Sequence, residues 1–254
     1  MAGEPTTAMV LRRVEFSETS LIVTLLSRDM GRVSAMAKGA RRLKGPFEGS
    51  LDLLSVCRVV VIQKHGDTLD LLTEAKLIRR FRGGERALDR TYAGYYLAEM
   101  LRLLTDDRDP DPELYDLALQ TLNQIDGAGN VEDALIHFDA QSWRILGLAP
   151  GTSACTACGG EIPQQTRLTF SLTGGGLVCP SCRVGQSQCI SVRSDVIDSL
   201  DRLLHCETRQ PISIAPPMYG ELRSLMNRYV QTLLGKVPRM QPYLPTAIRT
   251  EPSG

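Results

Sequence analysis

No stretch of this chain is apolar for long enough to approach a membrane span, so no transmembrane helix is expected. The N-terminus, Met1-Ala-Gly-Glu-Pro5, lacks both a charged start and an apolar run, so a secretory signal peptide is not expected either. Three signatures of catalysis and nucleotide binding are missing. There is no Gly-x-x-x-x-Gly-Lys-Ser/Thr phosphate loop, no Gly-x-Gly-x-x-Gly after a strand, and no Gly-x-Ser-x-Gly elbow. Histidine occurs three times, never near a Cys or Ser partner in sequence, which disfavours the usual nucleophilic pairings. No internal repeat or low-complexity segment is evident.

Net charge is also lacking, but its absence hides a division. The chain has 29 Lys/Arg and 29 Asp/Glu in 254 residues. Residues 1–82 hold 14 cations against 9 anions, residues 83–150 hold 5 against 13, and residues 151–254 hold 10 against 7. A basic head, an acidic middle and a mildly basic tail point to a polyanionic partner for the first part. At this length the chain can bury a real core in two or three compact parts.

Cysteine is where the pattern becomes specific. Cys155-Thr-Ala-Cys158 and Cys179-Pro-Ser-Cys182 are two Cys-x-x-Cys knuckles separated by twenty residues. Each knuckle puts two sulfurs on one side of a tight turn, and two facing knuckles offer four thiolates to a tetrahedral Zn²⁺. Redox pairs or disulfides are the weaker alternatives. Four Cys leave zinc no open position, so the expected ion is a single structural one. Arg167–Leu172 alternates between the knuckles as a short ribbon strand. Paired knuckles suit a reducing, cytoplasmic compartment. Cys57, Cys189 and Cys206 remain as isolated thiols.

Residues 8–75 read as five short strands with turn signals about every ten residues: Ala8–Leu11, Leu21–Leu26, Gly31–Ala37, Val56–Gln63 and Leu69–Thr73, the last after a turn at His65-Gly-Asp67. This suggests a small closed barrel, OB-fold or SH3-like. Between the third and fourth strands lies Lys38-Gly-Ala-Arg41-Arg42-Leu-Lys44-Gly-Pro-Phe47. It can grip phosphates, with Phe47 stacking on a base. Equally, it can be a solvated charged loop with Phe47 plugging the barrel end. Arg12, Arg13 and Arg32 beside neighbouring strands favour a continuous basic face.

From Arg86 the period becomes helical: Ala87–Thr105, then a helix after Asp109-Pro-Asp-Pro112, then Val131–Leu146. Asp106, Asp107, Asp109 and Asp111 read as solvated loop charge. Tyr92, Tyr95, Tyr96 and Trp143 read as core more than stacking platform, and His137 carries no assigned role. Two amphipathic helices follow the ribbon, one capped by Ser194 and one opened by Pro216-Pro217 and stopped by Gly235. The end from about Ala247 reads as frayed.

The order of these parts resembles the bacterial RecO family of recombination mediators. The likeness rests on Ala37-Lys-Gly-Ala-Arg-Arg42, on Gly147-Leu-Ala-Pro150 running into Cys155-x-x-Cys158-Gly159, and on Phe170 with Gly175-Gly-Leu-Val-Cys179-x-x-Cys182. With the element order it covers nearly the whole chain. The resemblance implies an α+β multidomain protein: an N-terminal five-stranded OB-fold barrel over 1–82, then a helical domain over 83–254 with an inserted zinc ribbon at about 150–190. It implies binding of single- and double-stranded DNA and annealing of complementary strands. It also implies contact with the single-strand binding protein's tail, and partnership with RecR to load RecA. Lys38, Arg41 and Arg42 match the family's basic loop, with Lys44, Arg12, Arg13 and Arg32 as further DNA-binding candidates. Cys155, Cys158, Cys179 and Cys182 match its metal site. The chain departs where relatives continue with a Ser-Arg-Phe-type segment: Lys44-Gly-Pro-Phe47 keeps a cation but moves it. A non-catalytic, nucleoid-associated protein is expected. The alternatives are a zinc-ribbon transcription or translation factor and a metal-dependent nuclease using the acidic middle.

Overall fold

The computed structural model describes residues 3, 5–42, 45, 47, 49–64, 68–206 and 212–244. The sequence features at His65–Asp67 and beyond Ala247 lie outside them. The chain packs as two compact units, Met1–Gly129 and Asn130–Gly254.

The first unit is built on five strands: β1 (Pro5–Glu15), β2 (Leu21–Ser27), β3 (Gly31–Ala37), β4 (Val56–Ile62) and β5 (Asp70–Arg79). They close a barrel in the order β1-β2-β3-β5-β4, antiparallel except for the parallel β3–β5 pair. This is an OB-like barrel, and it resolves the choice that alternation alone leaves open. The inward residues are mostly small or β-branched, among them Val10, Val23, Val33, Ala35 and Val59. Phe47 closes the core at 4% exposure, so of its two readings the plug is the observed one.

β1 runs further than its apolar core suggests because it serves two partners. Pro5–Met9 pair with β4 and Ala8–Glu15 with β2, with a bulge in the β2 pairing between Val10 and Arg12, just past the last residue paired with β4. β5 outruns its sequence signal for a related reason. Its second half pairs with β4 through two irregularities, and Lys76, Leu77 and Ile78 are all exposed, so period-two alternation is lost.

Helices α1 (Gly83–Arg86), α2 (Leu88–Leu104) and α3 (Pro112–Asp126) complete this unit. Asp111 caps α3 by accepting from the Leu114 N–H at 2.9 Å. The acidic connector before it is not simply solvated charge. Asp107 meets the Arg32 guanidinium at 2.7 Å, and Arg108 takes the buried Asp70 carboxylate at 2.7 and 2.8 Å. Arg28–Asp116 and Arg79–Asp126 repeat the pattern along α3. The connector lies so close to the β2–β3 turn that a Cβ on Gly31 (φ 67°) would fall 2.4 Å from the Asp109 carbonyl oxygen. Of the tyrosines on α2, Tyr96 is core and Tyr95 is exposed.

The second unit is organised around α4 (Val131–Ile145), which is buried on nearly every side. Asn130 caps it by accepting from the Glu132 and Asp133 N–H groups. A three-stranded sheet in the order β7-β6-β8 follows, from β6 (Arg167–Ser171), β7 (Gly176–Val178) and β8 (Cys189–Arg193), with a single helical turn α5 (Pro180–Arg183). Two helices end the unit, α6 (Ser194–Leu204) and α7 (Pro216–Leu234). Ser194 proves to be the first residue of α6, not its cap: Arg193 holds the cap position and no side chain caps that end. Gly235 stops α7 in the left-handed region at φ 63°, as its sequence signal requires. No helix among the described residues is long and apolar enough to cross a membrane.

Candidate metal centre and cationic barrel end

Two places carry the functional residues, one in each unit. In the second unit, β7 runs directly into Cys179, and the α5 turn that follows brings Cys182 round to the same side. The Cys182 and Arg183 N–H groups donate to the Cys179 carbonyl at 3.1 and 3.0 Å. The first knuckle is held as tightly: the Gly159 N–H donates to the Cys155 carbonyl, and the Cys155 N–H donates to the Gly160 carbonyl. Thr156 donates its N–H to the Leu177 carbonyl, which stitches the knuckles together.

The sulfurs of Cys155, Cys158, Cys179 and Cys182 all lie within 4.8 Å of one another, and Cys158 Sγ is 3.9 Å from Cys179 Sγ. Thiolates bound tetrahedrally at ~2.3 Å stand about 3.8 Å apart, so the observed spacing fits one metal ion. The Cys179 N–H, 3.4 Å from Cys155 Sγ, draws that thiol down to about 6. Hydrogen bonds with the Cys158 and then the Cys179 thiol push Cys182 up to about 12. Four mutually close thiols cannot all ionise on their own; a divalent cation lets them.

The knuckles rest on a firm base. Phe170 on β6 meets the Tyr229 ring edge-on at 5.9 Å, Trp143 on α4 meets it at 5.0 Å, and the Tyr229 hydroxyl donates to the Leu148 carbonyl at 2.9 Å. Of the ribbon's two cations, Arg167 is engaged by Glu221 and by the Ser191 carbonyl, and Arg183 is exposed.

In the first unit the cations gather where β1, β2 and β3 end together. Lys38, Arg41 and Arg42 follow β3 in a tight turn, with Gly39 at φ 76° and the Arg42 N–H donating to the Gly39 carbonyl. Arg41 fastens this turn to the β1–β2 loop. Its N–H donates to the Thr19 carbonyl, and its guanidinium reaches the Ser17 carbonyl and the Glu15 carboxylate at 3.2 and 3.1 Å. Lys38, Arg42 and Arg12 are exposed and form no ion pair among the described residues. Arg13 pairs with Asp52 at 2.7 Å. Arg32 lies at the other end of β3, held by Asp107 and the Arg102 carbonyl. Lys44 lies outside the described residues.

One residue at this end escapes a sequence reading built on cations. Phe16, in the β1–β2 loop, is 57% exposed. Only its place after a strand, flanked by Glu15 and Ser17, could have marked it.

The chain matches the family model for the Recombination protein O N terminal over residues 1–81 and that for its C terminal over residues 85–241. It is 52% identical over 263 residues to the DNA repair protein RecO of Rhodopirellula baltica, covering 94% of this chain and 97% of that one. Proteins of the same name from Myxococcus xanthus and Anaeromyxobacter sp. strain K are each 30% identical, over 90% and 91% of this chain.

Proposed function

This chain belongs to the RecO family of DNA repair proteins, and from that premise we propose that it is a recombination mediator acting by binding and not by covalent catalysis. It binds single- and double-stranded DNA and anneals complementary strands coated by single-strand binding protein, whose C-terminal tail it contacts. With RecR it helps load RecA. It works in the cytoplasm, on the nucleoid. Residues 1–82 form the nucleic-acid-binding domain and residues 83–254 the helical domain with its ribbon.

The observation that carries this reading is the barrel end where Lys38, Arg42 and Arg12 stand exposed without ion-pair partners among the described residues. Neutralised phosphates release counterions and lower the repulsion between two approaching strands, which is what annealing needs. Single-strand affinity then falls with log salt at about −0.7 per phosphate contact. The metal held by Cys155, Cys158, Cys179 and Cys182 is Zn²⁺. A closed four-thiolate shell supplies rigidity to the ribbon and no Lewis-acid position. The ribbon-reader alternative is weakened because the ribbon carries only Arg167 and Arg183, and Arg167 is already paired with Glu221. The nuclease alternative is weakened because Asp107, Asp116 and Asp126 serve as ion-pair partners of barrel arginines.

The test is an annealing assay with complementary oligonucleotides precoated with the cognate single-strand binding protein, without nucleotide. Faster duplex formation supports the mediator reading. DNA binding without acceleration reduces the protein to a binding module, and no DNA binding discards both.

A further inference from the structure

The outward face of β1, β2 and β3 is laid out in rows by the strand register. Arg12, Thr24 and Ser34 stand side by side in one row, and Val14, Ile22 and Met36 in the next. None of these is buried, and Val14 is 38% exposed. Two residues further along, the outer strands deliver Phe16 and Lys38. The Phe16 N–H donates to the Ser20 carbonyl at 3.1 Å, which extends the β1–β2 pairing to this level.

A single exposed aromatic needs no explanation by itself. Here the ring ends an apolar stripe whose borders are cationic. Arg12 lies at one end, Lys38 follows β3 at the level of Phe16, and Arg42 stands in the turn after it, all without ion-pair partners among the described residues. The loop's own carboxylates do not cancel that charge. Glu15 is turned to Arg41, which leaves Glu18 alone against three cations. An apolar strip edged by free cations complements a ligand with flat apolar faces on a polyanionic backbone, which is single-stranded nucleic acid. A duplex offers the same phosphates but keeps its base faces stacked inside.

We propose that Phe16 stacks on an unpaired base of a single DNA strand whose phosphates are held by Arg12, Lys38 and Arg42, so that this face distinguishes single strands from duplex. The proposal rests on the DNA-binding reading above and adds to it a contact that salt does not screen.

The experiment compares the full chain with its Phe16→Ala and Phe16→Trp variants. The probes are an oligo-dT, an abasic oligomer of equal length and a duplex, each at several salt concentrations. Phe16→Ala loses on the order of tenfold affinity for oligo-dT. It leaves the abasic and duplex affinities and the salt slope unchanged, since no phosphate contact is lost. Phe16→Trp keeps its affinity, and its added emission is quenched by oligo-dT. An undiminished oligo-dT affinity in Phe16→Ala, an equal loss on the abasic strand, or an unquenched Trp overturns the proposal. So does an acidic peptide that binds the parent but not Phe16→Ala while oligo-dT affinity stays the same, because the face then serves a protein. If Phe16→Ala does not fold, the Phe16→Trp result decides. Failure of the parent to bind any of the three probes refutes instead the DNA-binding reading on which the proposal rests.

Discussion

Arg223 on α7 closes a 2.6 Å ion pair with Asp139 on α4, and the two side chains are only 5% and 2% exposed. A buried pair of this kind is weak as a net source of stability but costly to break, because the surviving charge has no water to turn to. Asp139→Ala should therefore lower the unfolding free energy by about 3–5 kcal/mol. Asp139→Leu combined with Arg223→Met should recover most of the loss, since the apolar pair has nothing to desolvate. Urea unfolding of the single and double variants checks this. A double variant no more stable than the single would show that geometry, not charge burial, sets the cost.

His137 lies on the same helix, 2% exposed, with no hydrogen-bond partner for Nδ1 among the described residues. Burial lowers its pKa, so folding favours its neutral form. A group whose folded pKa is below the unfolded one favours folding fully above the unfolded value of about 6.5, and that contribution disappears as pH falls below it. Asp133, one turn earlier, is shifted upward by burial and works in the opposite direction. The variant must thus be compared with the parent at each pH. His137→Leu should flatten the fall in urea midpoint between about pH 7 and 5 relative to the parent. Parallel curves would rule out His137 as the source.

Metal removal gives a third expectation. The ribbon's strands are only three to five residues long, and the four thiols fix both knuckles, so binding free energy is folding free energy here. Chelation should lower the melting temperature, and Cys155→Ser should do the same without chelator. Elemental analysis of protein purified without chelators should find about one zinc per chain. Less than half an equivalent would remove the zinc assignment.

Much of this architecture was legible in the sequence because the relevant signals are local. Five alternating runs gave the barrel strands, two knuckles gave the thiol cluster, and Gly235 gave the end of α7. What stayed hidden depends on distant partners. Phe47 could stack or plug, and only closure of the barrel over it decides. Asp107 and Arg32 are 75 residues apart, so nothing local shows that each neutralises the other. β8 begins just after a loop and has no alternation strong enough to mark it, yet β6 pairs along its whole length. Phe16 is silent because a solitary aromatic in a loop has no periodicity.

The two ends of β3 make the last prediction. Arg42 lies past its C-terminal end, exposed and without an ion pair among the described residues. Arg32, near its start, is held by the Asp107 carboxylate and the Arg102 carbonyl and is mostly covered. A guanidinium already paired with a carboxylate is not free to neutralise a phosphate and displace the DNA's condensed counterions, whereas an unpaired one is. Lys38→Ala, Arg41→Ala and Arg42→Ala together should therefore weaken DNA binding across all sequences. They should also flatten the salt dependence by about 0.7 per lost single-strand contact. Arg32→Ala should leave that slope where it is and instead lower thermal stability, because Asp107 and the connector lose their anchor. Fluorescence anisotropy across a salt series, with melting curves on the same samples, separates the two. Should Arg32→Ala flatten the slope as much as the triple variant does, the basic face extends along the whole of β3 and the pair with Asp107 opens to admit DNA.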